Sequence, residues 1–106
     1  MSIGGGDYRV IVMTRAGEQI RSLFEAADRL GLRVDLAASL GEIDRKLQSE
    51  PRSWGDPVRT LPTLDLTLYR GLHAKIQVIY SVHQTQPVVF VRDVTPVLGH
   101  PLASPG

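Results

Sequence analysis

One stretch of the sequence, LYRGLHAKIQVIYSV from Leu68 to Val82, places several cations before an alternating apolar run. Arginine and lysine bind phosphate oxygens through charge-assisted hydrogen bonds, so Arg70 and Lys75 are candidate ligands for a polyanion. The same residue types are common on exposed sheet surfaces, where they only interact with water. The stretch therefore leaves two interpretations open, a binding site or the solvated side of a hairpin.

Arg92 is a further candidate because it interrupts the apolar run from Val88 to Val94. Side chains alternate between the two faces of a strand, so Arg92 and Asp93 are predicted to point to opposite faces. Arg92 then lies on the open face of a sheet or extends past the core toward water. Tyr80 instead shares its phase with the apolar residues of its own strand, which favours a place in the core.

Metal chemistry is not predicted from this sequence. The histidines at positions 73, 83 and 100 show no four-residue spacing and no accompanying carboxylates. The absence of cysteine excludes disulfides, thiolate zinc sites and a cysteine nucleophile. The glycines at positions 4 to 6 lack the Lys-Ser/Thr of a phosphate-binding loop, so residues 1–7 are interpreted as a flexible leader. We expect no metal and no cofactor.

Length and composition indicate one small globular domain covering residues 1–106. The chain is 42% hydrophobic and 22% charged, and it contains no apolar run of the roughly 20 residues that span a bilayer. The N-terminus has no basic start followed by an apolar block, so we expect a cytoplasmic protein without a membrane partner. The formal net charge is only +1, so a nucleic-acid site must depend on a local cluster of cations.

The elements that must position these side chains begin with a strand from Tyr8 to Met13. A helix with Thr14 as N-cap and Gly31 just past its end follows. A second helix begins near Asp35 or at the later capping-box sequence SLGE, and RVDLA is extended in the second case. This helix is predicted to end near Ser49, before a loop from position 51 to 57 that its single tryptophan pins to the body.

After Arg59 the period of the sequence changes from 3.6 to 2, which predicts three strands joined by hairpin links at residues 70–74 and 83–86. The element order is β-α-α-β-β-β. This is an α+β domain, with two helices packed on a largely antiparallel four-stranded sheet. Residues 96–106, rich in proline and glycine, are predicted to be a flexible tail.

The motifs in this order resemble the RelE/ParE-like toxin superfamily of bacterial toxin–antitoxin pairs. They are a strand beginning YRV, two helices, the connection L-x-x-x-P-x-x-x-G, and then L-x-x-Y-R-G, VIYSV and VVFVRDV. The resemblance covers about residues 8–95. It implies a cognate antitoxin as partner, and either messenger RNA on the ribosome or a gyrase-like protein as target.

In the RNA-cleaving branch a ribose 2′-hydroxyl attacks the neighbouring phosphate without a metal, which requires a base, an acid and cations. The resemblance places Arg70 at one cationic position. Gln77 stands where those enzymes usually carry an arginine, and His100 is the only acid–base group after the last strand. The predicted catalytic residues are therefore Arg70, Arg92 and His100, with Lys75 and Gln77 as RNA-binding residues.

This set is incomplete relative to the cleaving enzymes, so two functions stay open. The first is a toxin that cleaves messenger RNA with an altered active site. The second is a toxin-fold protein without this chemistry that acts by binding a gyrase-like target or only its antitoxin.

Overall fold

The computed structural model describes residues 7–103. The predicted leader, apart from Asp7, therefore lies outside the described residues. Within them the chain forms, in order, β1 (Arg9–Val12), α1 (Thr14–Leu30), α2 (Arg33–Ser49), α3 (Pro51–Trp54), β2 (Asp56–Leu61), a 3-10 turn (Pro62–Leu64), β3 (Leu66–His73), β4 (Ile76–His83) and β5 (Val88–Pro96).

The first long helix follows the prediction closely. Gly31 has φ +70°, the left-handed conformation expected just after a helix end. The N-cap position is occupied by Met13, which cannot cap with its side chain, rather than by Thr14. The second helix begins at Arg33, so the later start at the capping-box sequence is wrong, and Ser39 is an interior helical residue.

The sheet has five strands in the order β1-β5-β4-β3-β2. Strands β2 to β5 pair antiparallel, and β1 pairs parallel with β5. This confirms the α+β class and the predicted place of β1, but the prediction of four strands is one too few. The missed strand is β2, whose residues are almost all exposed and include Pro57. The sequence of β2 has no clear apolar alternation, so this segment is a strand because of its hydrogen bonds to β3.

The link between β3 and β4 is shorter than predicted, whereas the link between β4 and β5 has the predicted four residues, shifted by one to 84–87. Strand β3 continues to His73, so Arg70 lies within a strand, opposite Ile79 of β4, and not in a hairpin turn. The turn itself consists of Ala74 and Lys75, which have φ angles of 51° and 62°. Two successive positive φ angles are typical of the type I′ turn that joins two-residue hairpins.

Both long helices cover one face of the sheet and form the core with it. Tyr80 is fully buried there and stacks between Trp54 and Tyr69, with ring centroids 5.6 and 5.4 Å apart. Its hydroxyl donates a hydrogen bond to the carbonyl of Pro51 (2.6 Å) and accepts one from the N–H of Gly55 (2.9 Å). Burial raises the pKa of Tyr80, so its hydroxyl stays neutral and structural. The tryptophan thus fixes the connection after α2, as predicted.

The segment after β5 runs back along the sheet end. The N–H of Val97 donates to the carbonyl of Lys75 (2.9 Å), and Leu102 packs against the core.

Candidate nucleic-acid interface

The sheet surface opposite the helices is called the open face below. Cross-strand partners share a face, so the strand registers assign its residues. One row across the sheet contains, from β5 to β2, Phe90, Ser81, Leu68 and Arg59. The next row contains Asp93, Ile79, Arg70 and Asp56. Arg92 lies between the two rows on β5, where it contacts Ser81 of the first row. Cations therefore lie on the β5 side and on the β2 side of a mainly apolar strip, with Asp93 and Asp56 at the ends of the second row.

Most arginines of residues 7–103 form no ion pair, including Arg21, Arg29 and Arg52, which lie off the open face. Within residues 7–103, Arg59, Arg70 and Arg92 form no ion pair with a carboxylate. Arg9 of β1 also lies on this face, since it pairs with Val88. By contrast, Arg15, Arg33 and Arg45 each contact an aspartate or glutamate. The open-face strand positions of residues 7–103 therefore carry four arginines and two carboxylates, of which Asp56 lies opposite Arg70 and Asp93 is paired with Arg15. This face has an excess of positive charge in a chain of formal net charge +1.

Arg92 is the extra residue of a β-bulge, and Asp93 pairs with Ile79 of the open face, so the prediction that Arg92 and Asp93 point to opposite faces is wrong. Tyr80 pairs with Val91 but Ile79 pairs with Asp93, which leaves Arg92 without a partner position. Its Nε donates to Ser81 Oγ (3.1 Å), satisfying a hydroxyl whose residue is fully buried. The terminal guanidinium nitrogens have no protein acceptor in the described part of the chain, and so remain available to a ligand.

Helix α1 holds this bulge from the side. Gln19 donates from Nε2 to Asp93 Oδ1 (2.6 Å) and accepts at Oε1 the N–H of Val94 (2.7 Å). Arg15 Nε lies 3.2 Å from the same carboxylate oxygen. Asp93 is thus compensated by α1, and its charge does not neutralise the adjacent Arg92.

The spacing of the cations suits a chain of phosphates. Arg70 and Arg92 flank Ile79 from strands two apart, which corresponds to about 10 Å between their backbones. A shallow cavity of about 520 Å³ lies beside them between the start of α1 and the bulge, lined by Met13, Thr14, Arg15, Ile79, Arg92 and Asp93.

Two solved structures are similar to this chain. An archaeal RelE–RelB complex from Pyrococcus horikoshii has 28% identity and a TM-score of 0.57, over 85% of this chain and 94% of that one. The toxin–antitoxin complex RelBE2 from Mycobacterium tuberculosis has 20% identity and a TM-score of 0.62, over 91% and 98% of the two chains. The chain has a RelE-like toxin fold. Neither a protein-family model nor a characterised protein matches it by sequence.

The RelE-like fold separates the predicted site residues into two groups. Arg70, Arg92 and Gln77 share the open face, with Gln77 between Leu72 and Thr95 on the neighbouring strands. Lys75 lies in the β3–β4 turn beyond the end of this face, and its Nζ is close to Gly99. The arginines and the glutamine can therefore contact one ligand, while Lys75 is beside the segment that follows β5.

His100 lies apart from both arginines. It borders a small cavity with Leu32, Leu36 and Ser39 of the α2 region, on the helix side of the sheet. Its Nδ1 accepts the N–H of Leu102 (3.0 Å). Burial, and secondarily the Lys75 ammonium, lowers the pKa of His100 below its ordinary value, so the imidazole is neutral near pH 7. In this arrangement it does not share a ligand with Arg70 and Arg92.

Sequence reasoning missed several residues that form this interface. The predicted strands began after Arg59, so Arg59 was not included in them. The residues V-R-T-L after Pro57 nevertheless include the β-branched types of a short strand. Arg9 was visible as the polar position of YRVIVM but was not weighed. Nothing in the sequence pointed to Gln19, because its contacts depend on a β-bulge that the sequence pattern does not reveal.

None of the helices within residues 7–103 has the length and apolar character to span a bilayer.

Proposed function

We propose that this chain is the toxin of a toxin–antitoxin pair and that its open face binds messenger RNA. The observation that carries the proposal is the group of arginines without carboxylate partners on the open face of a RelE-like fold. The two similar structures are toxin–antitoxin complexes, which supports a cognate antitoxin as the main partner of this chain.

In the proposed complex Arg70 and Arg92 hold one phosphodiester from its two sides, with Gln77 as a neutral hydrogen-bond donor nearby. Their charges stabilise the negative charge that develops when a 2′-hydroxyl attacks the phosphate. Cleavage also requires a base and an acid within hydrogen-bond reach. His100 lies on the other side of the sheet, so it is not positioned to serve in this arrangement.

A second candidate function is binding without cleavage. It is favoured by a shortage of acid–base groups near Arg70 and Arg92. Within residues 7–103 the adjacent open-face strand positions carry no lysine, tyrosine or histidine, and their acid–base groups are the carboxylates of Asp56 and Asp93. Asp93 is engaged by Gln19 and Arg15. The protein would then act by occupying RNA, or by binding a gyrase-like target through another surface.

The RNA proposal is tested with Arg70→Gln, Arg92→Gln and the double variant, with Arg21→Gln on the exposed side of α1 as a charge-matched control. Each open-face variant should lower the slope of log affinity against log salt by about 0.7 for single-stranded RNA. The control should bind like the wild type. Unchanged slopes for all variants, or a wild type that does not bind RNA at low salt, would contradict the proposal.

Cleavage is separated from binding by incubating the protein with an RNA strand and with a DNA strand of the same sequence. A nuclease using the ribose nucleophile cuts only the RNA, and Arg92→Gln should lose this activity. RNA that stays intact at saturating protein, both free and bound to ribosomes, would support the second candidate.

The partner is tested by co-expressing the protein encoded next to this chain. A cognate antitoxin should co-purify and raise the melting temperature, because a ligand that binds only the folded state stabilises it by mass action. It should also restore growth if expression of this chain alone arrests it. A neighbour that does not co-purify and leaves the melting temperature unchanged would contradict the pairing.

A further inference from the structure

Strand β5 changes its neighbour in the middle of its length. Its pairing with β1 ends at Val12 and Val91, where the Met13 N–H donates to the Val91 carbonyl (3.0 Å). Residues 92–96 continue beside helix α1, which supplies side chains in place of a backbone partner. The bulge with Arg92 falls at this change, so the segment that presents Arg92 has β4 on one side and a helix on the other.

Gln19 of α1 takes the place of a strand residue at this point. A side-chain amide carries a donor and an acceptor, as a peptide group does. The Oε1 atom of Gln19 accepts the Val94 N–H (2.7 Å), and its Nε2 donates to Asp93 Oδ1 (2.6 Å). Val94 is buried, so water does not readily replace this acceptor. Gln19 therefore fixes the chain just after Arg92.

The direction of the Arg92 guanidinium depends on this hold. Arg92 has no cross-strand partner, and the bond from its Nε to Ser81 Oγ (3.1 Å) requires the bulge to keep its shape. Arg15 is the other side chain of α1 that contacts the bulge, through Asp93. Its side chain is 77% exposed, so its ion pair contributes little to the hold.

We infer that Gln19 is a positioning residue, whose amide holds the bulge so that Arg92 faces the RNA phosphate. The role assigned to Gln19 rests on the proposed function and adds to it a helix residue outside the open face. A neutral side chain then controls part of the salt dependence of RNA binding. Gln19→Ala changes no charge, yet it should lower the salt slope by about 0.7, as Arg92→Gln does. Its deficit in affinity should be about 5-fold larger at 0.1 M than at 1 M salt.

A double-mutant cycle with a fluorescent RNA strand shows whether Gln19 acts through Arg92. In the Arg92→Gln background, Gln19→Ala should not lower the slope further, whereas in the Arg70→Gln background it should keep its full effect. Gln48→Ala is the matched control, because that amide bonds the exposed Asp44 (2.7 Å). Thermal melts fix a temperature at which every variant is folded.

Exchange of the two polar groups provides a rescue. In Gln19→Glu with Asp93→Asn, the carboxylate at position 19 accepts both the Val94 N–H and the amide at position 93, so both hydrogen bonds are kept. This pair should regain the slope, whereas Gln19→Ala with Asp93→Asn should not. A pair that binds no better than that alanine variant would contradict the positioning role.

Nuclear magnetic resonance of the arginine side chains tests the same role without RNA. The Nε–H of Arg92 should exchange with water about 10-fold faster in Gln19→Ala, and at the wild-type rate in Gln48→Ala. Unchanged exchange would overturn the positioning role whether or not RNA binds. Faster exchange in a protein that binds no RNA would support the positioning of Arg92 and contradict only the proposed function. If Arg92→Gln lowers the slope and Gln19→Ala does not, the positioning role is wrong and RNA binding stands.

Discussion

Replacing Tyr80 by phenylalanine tests how the RelE-like core is joined to the connection after α2. The substitution keeps the ring between Trp54 and Tyr69 but removes the hydroxyl. That hydroxyl is the hydrogen-bond acceptor of the Gly55 N–H and a donor to the Pro51 carbonyl, at 2.9 and 2.6 Å. Both backbone groups belong to buried residues, so water does not readily replace the lost partner.

The magnitude follows from the two groups left unpaired. A buried donor or acceptor without its partner costs about 1–3 kcal/mol, so the double loss should lower the free energy of unfolding by about 2–6 kcal/mol. A domain of this size is stable by only about 5–15 kcal/mol. At about 4–8 °C per kcal/mol, the melting temperature should fall by at least about 8 °C.

Urea and thermal unfolding of the wild type, Tyr80→Phe and Tyr8→Phe measure this effect. Tyr8 is the matched control, because its hydroxyl accepts a hydrogen bond from Arg52 (3.1 Å) at an exposed position. Tyr8→Phe should change the unfolding free energy by less than about 0.5 kcal/mol. A Tyr80→Phe variant within about 1 kcal/mol of the wild type would refute the reasoning, since the paired backbone groups would then not depend on the hydroxyl.

The remaining predictions concern pH, packing and the bulge. Because the folded-state pKa of Tyr80 is raised, the contribution of its neutral hydroxyl to stability is fully present below about pH 10 and is lost as the pH rises further. In urea titrations at alkaline pH, the free energy of unfolding should therefore fall more steeply with pH for the wild type than for Tyr80→Phe. A Cβ at Gly71 would lie 2.5 Å from two Trp54 ring carbons, so Gly71→Ala should cost about 1–3 kcal/mol and alter tryptophan fluorescence; unchanged spectra and stability would contradict it. Gln19→Ala leaves the Val94 N–H unpaired and should cost about 1–2 kcal/mol by urea unfolding, with Gln48→Ala as an exposed control of small effect.

The sequence predicted those elements whose patterns are strong and local. The apolar spacing within α1 and the position of Gly31 after it predicted that helix. The alternation in β4 predicted both the strand and the burial of Tyr80. The missed strand, β2, carries exposed residues and a proline, so only its hydrogen bonds to β3 define it. Tertiary pairing of this kind overrides local propensity, and pattern reading cannot detect it.

The candidate interface was predictable only in part, because some of its residues follow local patterns and others depend on tertiary contacts. Strand phase left Arg92 either on the open face or extended past the core, and the structure places both Arg92 and Arg70 on the open face. His100 follows the last strand, and its position depends on how that segment folds back onto α2, which no periodicity encodes. Arg59 depended on the missed strand. Arg92 was thus identified although it lies at a bulge, whereas the positions of His100 and Arg59 depend on tertiary contacts that no local pattern encodes.

The parallel pairing of β1 with β5 has a consequence for synthesis of the protein. Residues 9–12 can pair only after residues 88–91 have been synthesised, because β5 lies between β1 and β4 in the sheet. A nascent chain therefore cannot close its sheet until nearly all of it has left the ribosome, about 5–20 s after initiation at ordinary elongation rates. Such long-range contacts also slow folding. Prematurely terminated chains lack the strand that joins the two ends and that carries Arg92, so only completed copies can assemble the arginine surface.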